Sequence, residues 1–327
     1  MKKKKEPPTE EQRQRKADRK ARRNEPTYFA IMLMELLAGV ISPFPPATRR
    51  PRVLIADVLF AMIYRTYMGV AGDKLTAFLK DLVDKGYITT ALTPSSLFNY
   101  MAKGELLAVL EALIGKSSLP LRLFEVLGAI DSTGIYTTRY YIGRDWETGA
   151  KVEMLDWVRL HVVCGVFSKV ITAARAAPRY SGENRYFEPL LRETLALGFK
   201  LKGIAGDKNY VNKKNIRLAT ELRLTPYLTF KKNAVLSKKQ EEKPWNESLL
   251  KFRGGDQEVL QRYRDRSMVE TTHSSLKRKY NKYVFGVNKK AQLNEALTKV
   301  ICYNICVWNR YAHRLGIIPT YKSELSD

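Results

Sequence analysis

Apolar positions along the first third of the chain recur at three- and four-residue intervals. "YFAIMLMELLAGVI", "PRVLIADVLFAMIYRTYMGV" and "KLTAFLKDLVDKGYI" each carry one apolar face, which predicts amphipathic or buried helices. "TPSSLFNYMAKGELLAVLEALIG" adds a further helical stretch, with Thr93 and Pro94 at its start and Gly115 at its stop. A short helix, a turn and "SSLFNYM" could form a helix-turn-helix reader, against the simpler reading of a plain helical bundle.

At Leu121 the pattern changes. "FEVLGAIDSTGIY", "WVRLHVVCGV" and "KVITAARAA" are rich in strand formers, the last two divided by a short "FS" turn. "YFEPLLRETLALGFK" is helical and stops at Gly198. "LKGIAGD" is a short buried strand, "NKKNIRLATELRL" a helix, and "TPYLTF" a strand. A polar, Lys-rich span follows from 231 to 255, with Asp256 as the cap of the next helix. Two helical stretches close the chain, "YRDRSMVETTHSSLK" and "LNEALTKVICYNICVWNRYAHRLG". The first three strands can pair as an antiparallel meander, and the last two, each reached through a helix, can add in parallel. The predicted fold class is α/β: a ribonuclease H-like mixed sheet flanked by helices, preceded by an all-α region. The expected domains are a basic disordered arm (1–25), a helical DNA-binding domain (26–119) and a catalytic domain (120–327) with a short insertion at 231–255.

Charge narrows the partners. Of 327 residues, 57 are Lys or Arg and 33 Asp or Glu, a net charge of +24. Folding does not require that excess, which suits a polyanion. A membrane is the weaker reading, because the most apolar run holds Glu35, stops at Pro43 and falls short of the roughly 20 residues a spanning helix needs. The run has no small-residue cleavage site and follows a long charged stretch, which argues against a signal peptide. The arm, "MKKKKEPPTEEQRQRKADRKARRNE", cannot bury a core, is expected to be disordered or loosely helical until bound, and reads as a contact to phosphates or a solubilising tail. The three cysteines, Cys164, Cys302 and Cys306, form no disulfide framework. Cys302 and Cys306 share one helix face and, lacking a second ligand pair, fit packing better than zinc.

Candidate chemistry lies in the acidic residues. Asp131 ends the strand "VLGAID" and Asp207 ends "LKGIAGD". Carboxylates at the ends of buried strands are costly unless something cationic sits between them. On a helix, Tyr263, Arg266, Glu270 and Lys277 fall within an arc of about 60° at roughly 100° per residue. Met268, Val269, Thr272, Leu276 and Tyr280 form a separate apolar stripe able to pack on the sheet. Neither a Ser–His–Asp set nor a phosphate-cradling glycine loop is visible. Asp145, Glu153 and Asp156 are spare carboxylates, and Trp146 and Trp157 read as packing residues.

The spacing Tyr, two residues, Arg, three residues, Glu, six residues, Lys resembles the signature around the third acidic residue of the DDE transposases of prokaryotic insertion sequences. Tyr263, Arg266, Glu270 and Lys277 match it throughout. "DSTG" at 131–134 resembles that family's first acidic motif, and "GIAGDKNY" its second. "WVRLHVVCGV" resembles the strand after the first motif, with Arg159-Leu160-His161 where Lys-Leu-His is more usual. The likeness runs from Val126 to Tyr311. It implies a catalytic and metal-binding triad of Asp131, Asp207 and Glu270, with two Mg²⁺ ions (or Mn²⁺) as cofactor. Mg²⁺ prefers oxygen ligands, and paired cations serve in-line displacement at phosphorus. DNA contacts are expected from Tyr263, Arg266 and Lys277, and from the motif residues Thr133, His161, Lys208 and Tyr210. His161 faces inward or outward according to strand register, and Tyr263 could instead pack on a neighbouring strand. The implied partners are double-stranded DNA, as terminal inverted repeats and target, and a second copy of the chain in a synaptic dimer. The implied location is a prokaryotic cytoplasm, at the nucleoid. The span between the last strand and the glutamate is short, whereas larger relatives hold a β-rich insertion there. Two other readings stand beside this one: a DNA-binding derivative without catalysis, and a cellular nuclease of the same fold.

Overall fold

The computed structural model describes residues 9–45, 53–145 and 147–322. Trp146 and the first eight residues of the arm lie outside them. Five helices come first: α1 (Glu10–Leu37), α2 (Ile55–Met68), α3 (Leu75–Asp84), α4 (Pro94–Met101) and α5 (Leu106–Ser118). Then follow β1 (Leu127–Arg144), β2 (Lys151–Gly165), β3 (Ile171–Pro178), α6 (Asn184–Ala196), β4 (Gly203–Gly206), α7 (Lys213–Glu221) and β5 (Thr225–Leu228). The chain continues through α8 (Lys243–Arg253), α9 (Gln257–Arg264), α10 (Ser267–Tyr280), β6 (Tyr283–Val284) and α11 (Lys289–Leu315).

The six strands form one mixed sheet of order β3-β2-β1-β4-β5, with β6 pairing β1 beyond that path. β1, β2 and β3 pair antiparallel, while β4 and β5 add in parallel. This is a mixed α/β architecture with a six-stranded sheet flanked by helices, consistent with a ribonuclease H-like domain. The β2–β3 turn is fixed from outside: the buried carboxylate of Glu125 accepts from the amides of Phe167 (3.0 Å) and Ser168 (2.7 Å). Alternate residues of β1 serve opposite faces. Ile130 joins a cluster with Phe187, Leu190 and Leu191 of α6, whereas Ala129 joins the large cluster built from the N-terminal helices, α10 and α11.

That large cluster changes the domain picture. Phe29, Leu33, Val58, Leu59, Leu110 and Ile114 from the first five helices share one core with Leu160, Val162 and Ala174 of the sheet. The linking element is α11, which is buried on all sides from Ala291 to Ile305 and packs against α1, α2, α5 and β3. Among the described residues, 26–119 therefore have no core separate from the sheet's. Asn304 of α11 completes the edge strand: its amide donates to Ile171 O (2.7 Å) and its carbonyl accepts from Ile171 N (2.9 Å). A buried strand edge needs such partners.

Several sequence expectations are corrected. Residues 10–25, expected to be disordered or loosely helical until bound, form the first half of α1. A capping box at Thr9 starts this helix, and its packing on α11 orders it through buried Ala21 and the Asp18–Arg314 pair. Gly115 does not stop a helix, because α5 runs on to Ser118; the break falls instead at 102–105, between α4 and α5. Thr93 does cap α4, accepting from Ser96 N at 3.1 Å. Nine residues separate α3 from α4, too long a link for a helix-turn-helix turn, and Leu97 and Met101 of α4 are buried. The 231–255 span is largely helical, holding a short 3₁₀ turn and α8.

Candidate functional site

Asp131 was expected at a strand end, yet β1 continues thirteen residues past it, to Arg144. What ends there is the neighbour. β1 and β4 pair in parallel up to Ile130↔Gly206; Asp131 is the next residue of β1, and Asp207 is the first residue after β4. β2 goes on pairing with β1, through Asp131↔Val162 and Ser132↔His161. The sheet thus splits at the two aspartates, leaving them adjacent at the opening. Asp207 caps the turn that follows, accepting from Lys208 N at 2.7 Å.

Asp131 lies on the α10 face, with a side chain only 17% exposed. Burial pushes its carboxyl up to about 6, and the nearby carboxylates of Glu183 and Asp207 push the same way, while Ser132 N–H and Arg266 oppose them. Glu183, which was not singled out in the sequence, accepts from Ser132 Oγ at 2.8 Å and lies 3.6 Å from Arg159. Only a prediction of the β3–α6 turn could have pointed to it. His273 is a second addition. Its Nε2 lies 3.8 Å from Asp131 Oδ2, beyond hydrogen-bond reach, and neither ring nitrogen has a partner. Burial and then Lys277 hold the imidazole down at about 3, so it is neutral and the contact is no ion pair.

The Tyr/Arg/Glu/Lys row does not lie on one continuous helix. Tyr263 is in the last turn of α9, Arg266 is the N-cap of α10, and Glu270 and Lys277 lie on α10. Tight i→i+3 bonds span the joint, among them Arg266 N to Tyr263 O and Val269 N to Arg266 O, both 3.0 Å. The joint keeps the row together nonetheless. Arg266 sits 5.8 Å from the Tyr263 ring centroid and 2.6 Å, Nη1 to Oε1, from Glu270. The Glu270 side chain is 52% exposed. Lys277 is half-buried, and burial lowers its ammonium below the ordinary lysine range. Val269, Thr272, Leu276 and Tyr280 face the core as the apolar stripe predicts, and Met268 is half-buried.

The other expected DNA contacts divide. Lys208 is exposed and Thr133 half-buried beside the split. His161 and Tyr210 are fully buried, which removes both from direct contact with DNA. His161 stacks on Tyr186 at 4.0 Å and meets Ser181 Oγ at 3.1 Å, and burial with Arg159 nearby pushes its imidazole down to about 3. Tyr210 packs on Phe187 below the aspartates. Two of the three spare carboxylates have other duties, and Glu153 is exposed on β2. Asp156 pairs with Arg179 and Lys289, and Asp145 holds the turn at Thr148.

Asp131, Asp207 and Glu183 bring carboxylate oxygens together around the split, the donor type that hard divalent cations prefer. Among the described residues no three acidic, His or Cys side chains already converge as a metal cage. The third carboxylate, Glu270, is held on Arg266 instead. The two helical cysteines are engaged in packing contacts: Cys302 Sγ donates to Ile63 O and Cys306 meets Tyr280 Oη. No described helix is long and apolar enough to cross a membrane. Residues 122–305, more than half of the chain, match the family model described as the transposase DDE domain. No curated protein and no solved structure matches the chain.

Proposed function

We propose that this chain, which belongs to the family of transposase DDE domains, is an insertion-sequence transposase of prokaryotic type that cuts DNA at terminal inverted repeats and joins the freed 3′-hydroxyl to target DNA. One observation carries the reading: Asp131 and Asp207 emerge side by side where β1 and β4 part, with the Arg266–Glu270 pair over the same opening. Asp131, Asp207 and Glu270 would hold two divalent ions, Mg²⁺ or Mn²⁺, which when bound supply activation of an attacking oxygen and stabilisation of a leaving one.

The remaining residues position the strand. Arg266 offers a planar fork suited to a phosphate and, on meeting one, releases Glu270 toward the aspartates. Lys277, two turns along α10, offers a point charge to a neighbouring phosphate. Tyr263 beside Arg266 presents a ring on which a displaced base can stack. The half-buried Asp131 lies where little water competes, which strengthens every charge interaction there. The strand-transfer complex would pair two copies of the chain on two DNA ends.

A cleavage assay with Mg²⁺ on DNA carrying the inverted repeats that flank the gene tests the reading. Nicking at the repeat ends followed by joining supports it. Cutting without joining points to a nuclease. Salt-sensitive binding with no cutting under Mg²⁺ or Mn²⁺ points to a binding protein without catalysis. The Glu270–Arg266 contact is the feature that favours this last alternative, since it occupies the third carboxylate.

A further inference from the structure

On the side of α10 away from Glu270 lies a basin of about 390 Å³ between α1, α10 and α11. Glu270 and Lys277 flank the buried stripe of α10 on one side. Ser275 and Lys279 flank it on the other, and the basin opens there, with Arg278 at its rim. Its acidic groups are already engaged. Asp18 is gripped by Arg314 through two contacts of 2.7 and 2.8 Å, and Glu25 by Lys279 at 2.7 Å. Arg22 and Arg310 share the field of the same Asp18, and Arg22 Nε donates to Asp18 O, but among the described residues none of Arg22, Arg278 and Arg310 has a carboxylate of its own at ion-pair distance. Arg310 Nε is buried with no hydrogen-bond partner at all. A buried, unpaired charged donor is costly, and an anion seated in the basin would satisfy it.

We propose that this basin is a second DNA-backbone site, taking a phosphodiester on the opposite flank of α10 from the carboxylates. The ligand class follows from the walls. Guanidinium forks suit phosphate oxygens. The charges also continue in a line rather than closing around one small ion: Arg15, Arg19 and Arg22 follow at steps of four and three residues on one face of α1, Arg15 at the far end in an exposed, solvent-screened pair with Glu11. They therefore span about 10 Å of helix at 1.5 Å per residue, a reach that a strand of linked phosphates can follow. The inference rests on the DNA-binding part of the reading above, but on none of its catalytic residues. It gives α10 two DNA-facing flanks, one at the reacting strand and one holding duplex at a distance from it.

The test is the salt dependence of binding of the full chain to a duplex carrying one end of the element, followed by fluorescence anisotropy. Arg22→Ala/Arg278→Ala replaces two exposed groups and is expected to lower the log–log slope by about 1.8, at about 0.9 per phosphate contact. Arg310→Lys, which keeps charge but loses the fork, should weaken binding severalfold. Lys200→Ala/Lys202→Ala, which removes two exposed charges at the far end of β4, is the control and should change the slope by much less. An unchanged slope in that variant, or an equal fall in the control, overturns the basin and leaves the catalytic reading standing. A slope that falls as expected in a chain that never cuts DNA supports the basin and overturns the catalytic reading. A wild-type chain that binds no duplex at all overturns both.

Discussion

Arg266 Nη1 lies 2.6 Å from Glu270 Oε1, one helical turn apart at the start of α10. The pair engages the third carboxylate of the candidate triad, and a phosphate competing for Arg266 would release it. Glu270→Gln is therefore expected to abolish cutting and to leave end binding intact or slightly tighter, because a negative charge near phosphates is removed. Gel-shift and cleavage assays on the same preparation check this.

Arg266→Ala and Lys277→Ala should fail differently. Both keep the carboxylates and lose strand positioning. A shift of about 1 Å in an in-line reaction can cost on the order of a hundredfold in rate. Strand transfer should fall by about that factor, and more than the first nick, because the later step needs the freed strand held. Separate quench-flow measurement of nicking and joining decides it; equal losses in both steps would contradict the positioning role.

Asn304 supports the site from a distance by closing the β3 edge against α11. Its amide also donates to Ser117 Oγ at 2.9 Å. Asn304→Leu leaves Ile171 N–H and C=O buried without partners, at about 1–3 kcal/mol for each unsatisfied group. A loss of about 3 kcal/mol in urea unfolding is expected, with the m-value unchanged.

Glu111 gives stability a pH dependence. Burial raises its carboxyl from 4.5 to about 7, against the pull of Arg175 at 3.3 Å, which it shares with Glu193. The folded state holds this proton more tightly than the unfolded chain does. The contribution is thus fully present below pH 4.5 and is lost as pH rises to about 7. Each tenfold difference in proton affinity between the two states corresponds to about 1.4 kcal/mol, so the loss approaches about 3 kcal/mol. Glu111→Gln cannot ionise, so its melting temperature relative to wild type should climb between pH 5 and 7.5 and level off above. A difference that stays flat across that window contradicts the assignment.

Much of the sheet was legible because its strands are apolar runs punctuated by turn residues: "WVRLHVVCGV", "KVITAARAA", "GIAGD" and "TPYL" all lie in strands or at their ends. The aspartate motifs were legible because they adjoin those runs. The length of β1 was not, since residues beyond Asp131 are held by β2 and by β6 across the chain, a long-range pairing that local pattern does not encode. The firm order of the first half of α1 was not legible for a related reason. Residues 10–25 lack an apolar face of their own, and their order comes from α11, almost three hundred residues away. A truncation at residue 23 would thus remove folded helix as well as positive charge. His273 and Glu183 escaped notice because only the fold brings them to Asp131, while His161 and Tyr210 kept their motif positions but point into the core.

The central claim, that Asp131, Asp207 and Glu270 act as one metal-dependent cutting site, is tested most directly by single-turnover nicking of an end-bearing duplex. Wild type, Asp131→Asn, Asp207→Asn and Glu270→Gln would be compared with Mg²⁺ and with chelator, each at a DNA occupancy confirmed equal. The account predicts that each substitution lowers the nicking rate at least a thousandfold, to the level of wild type in chelator, with binding retained. Nicking at the wild-type rate by any one of the three would contradict it.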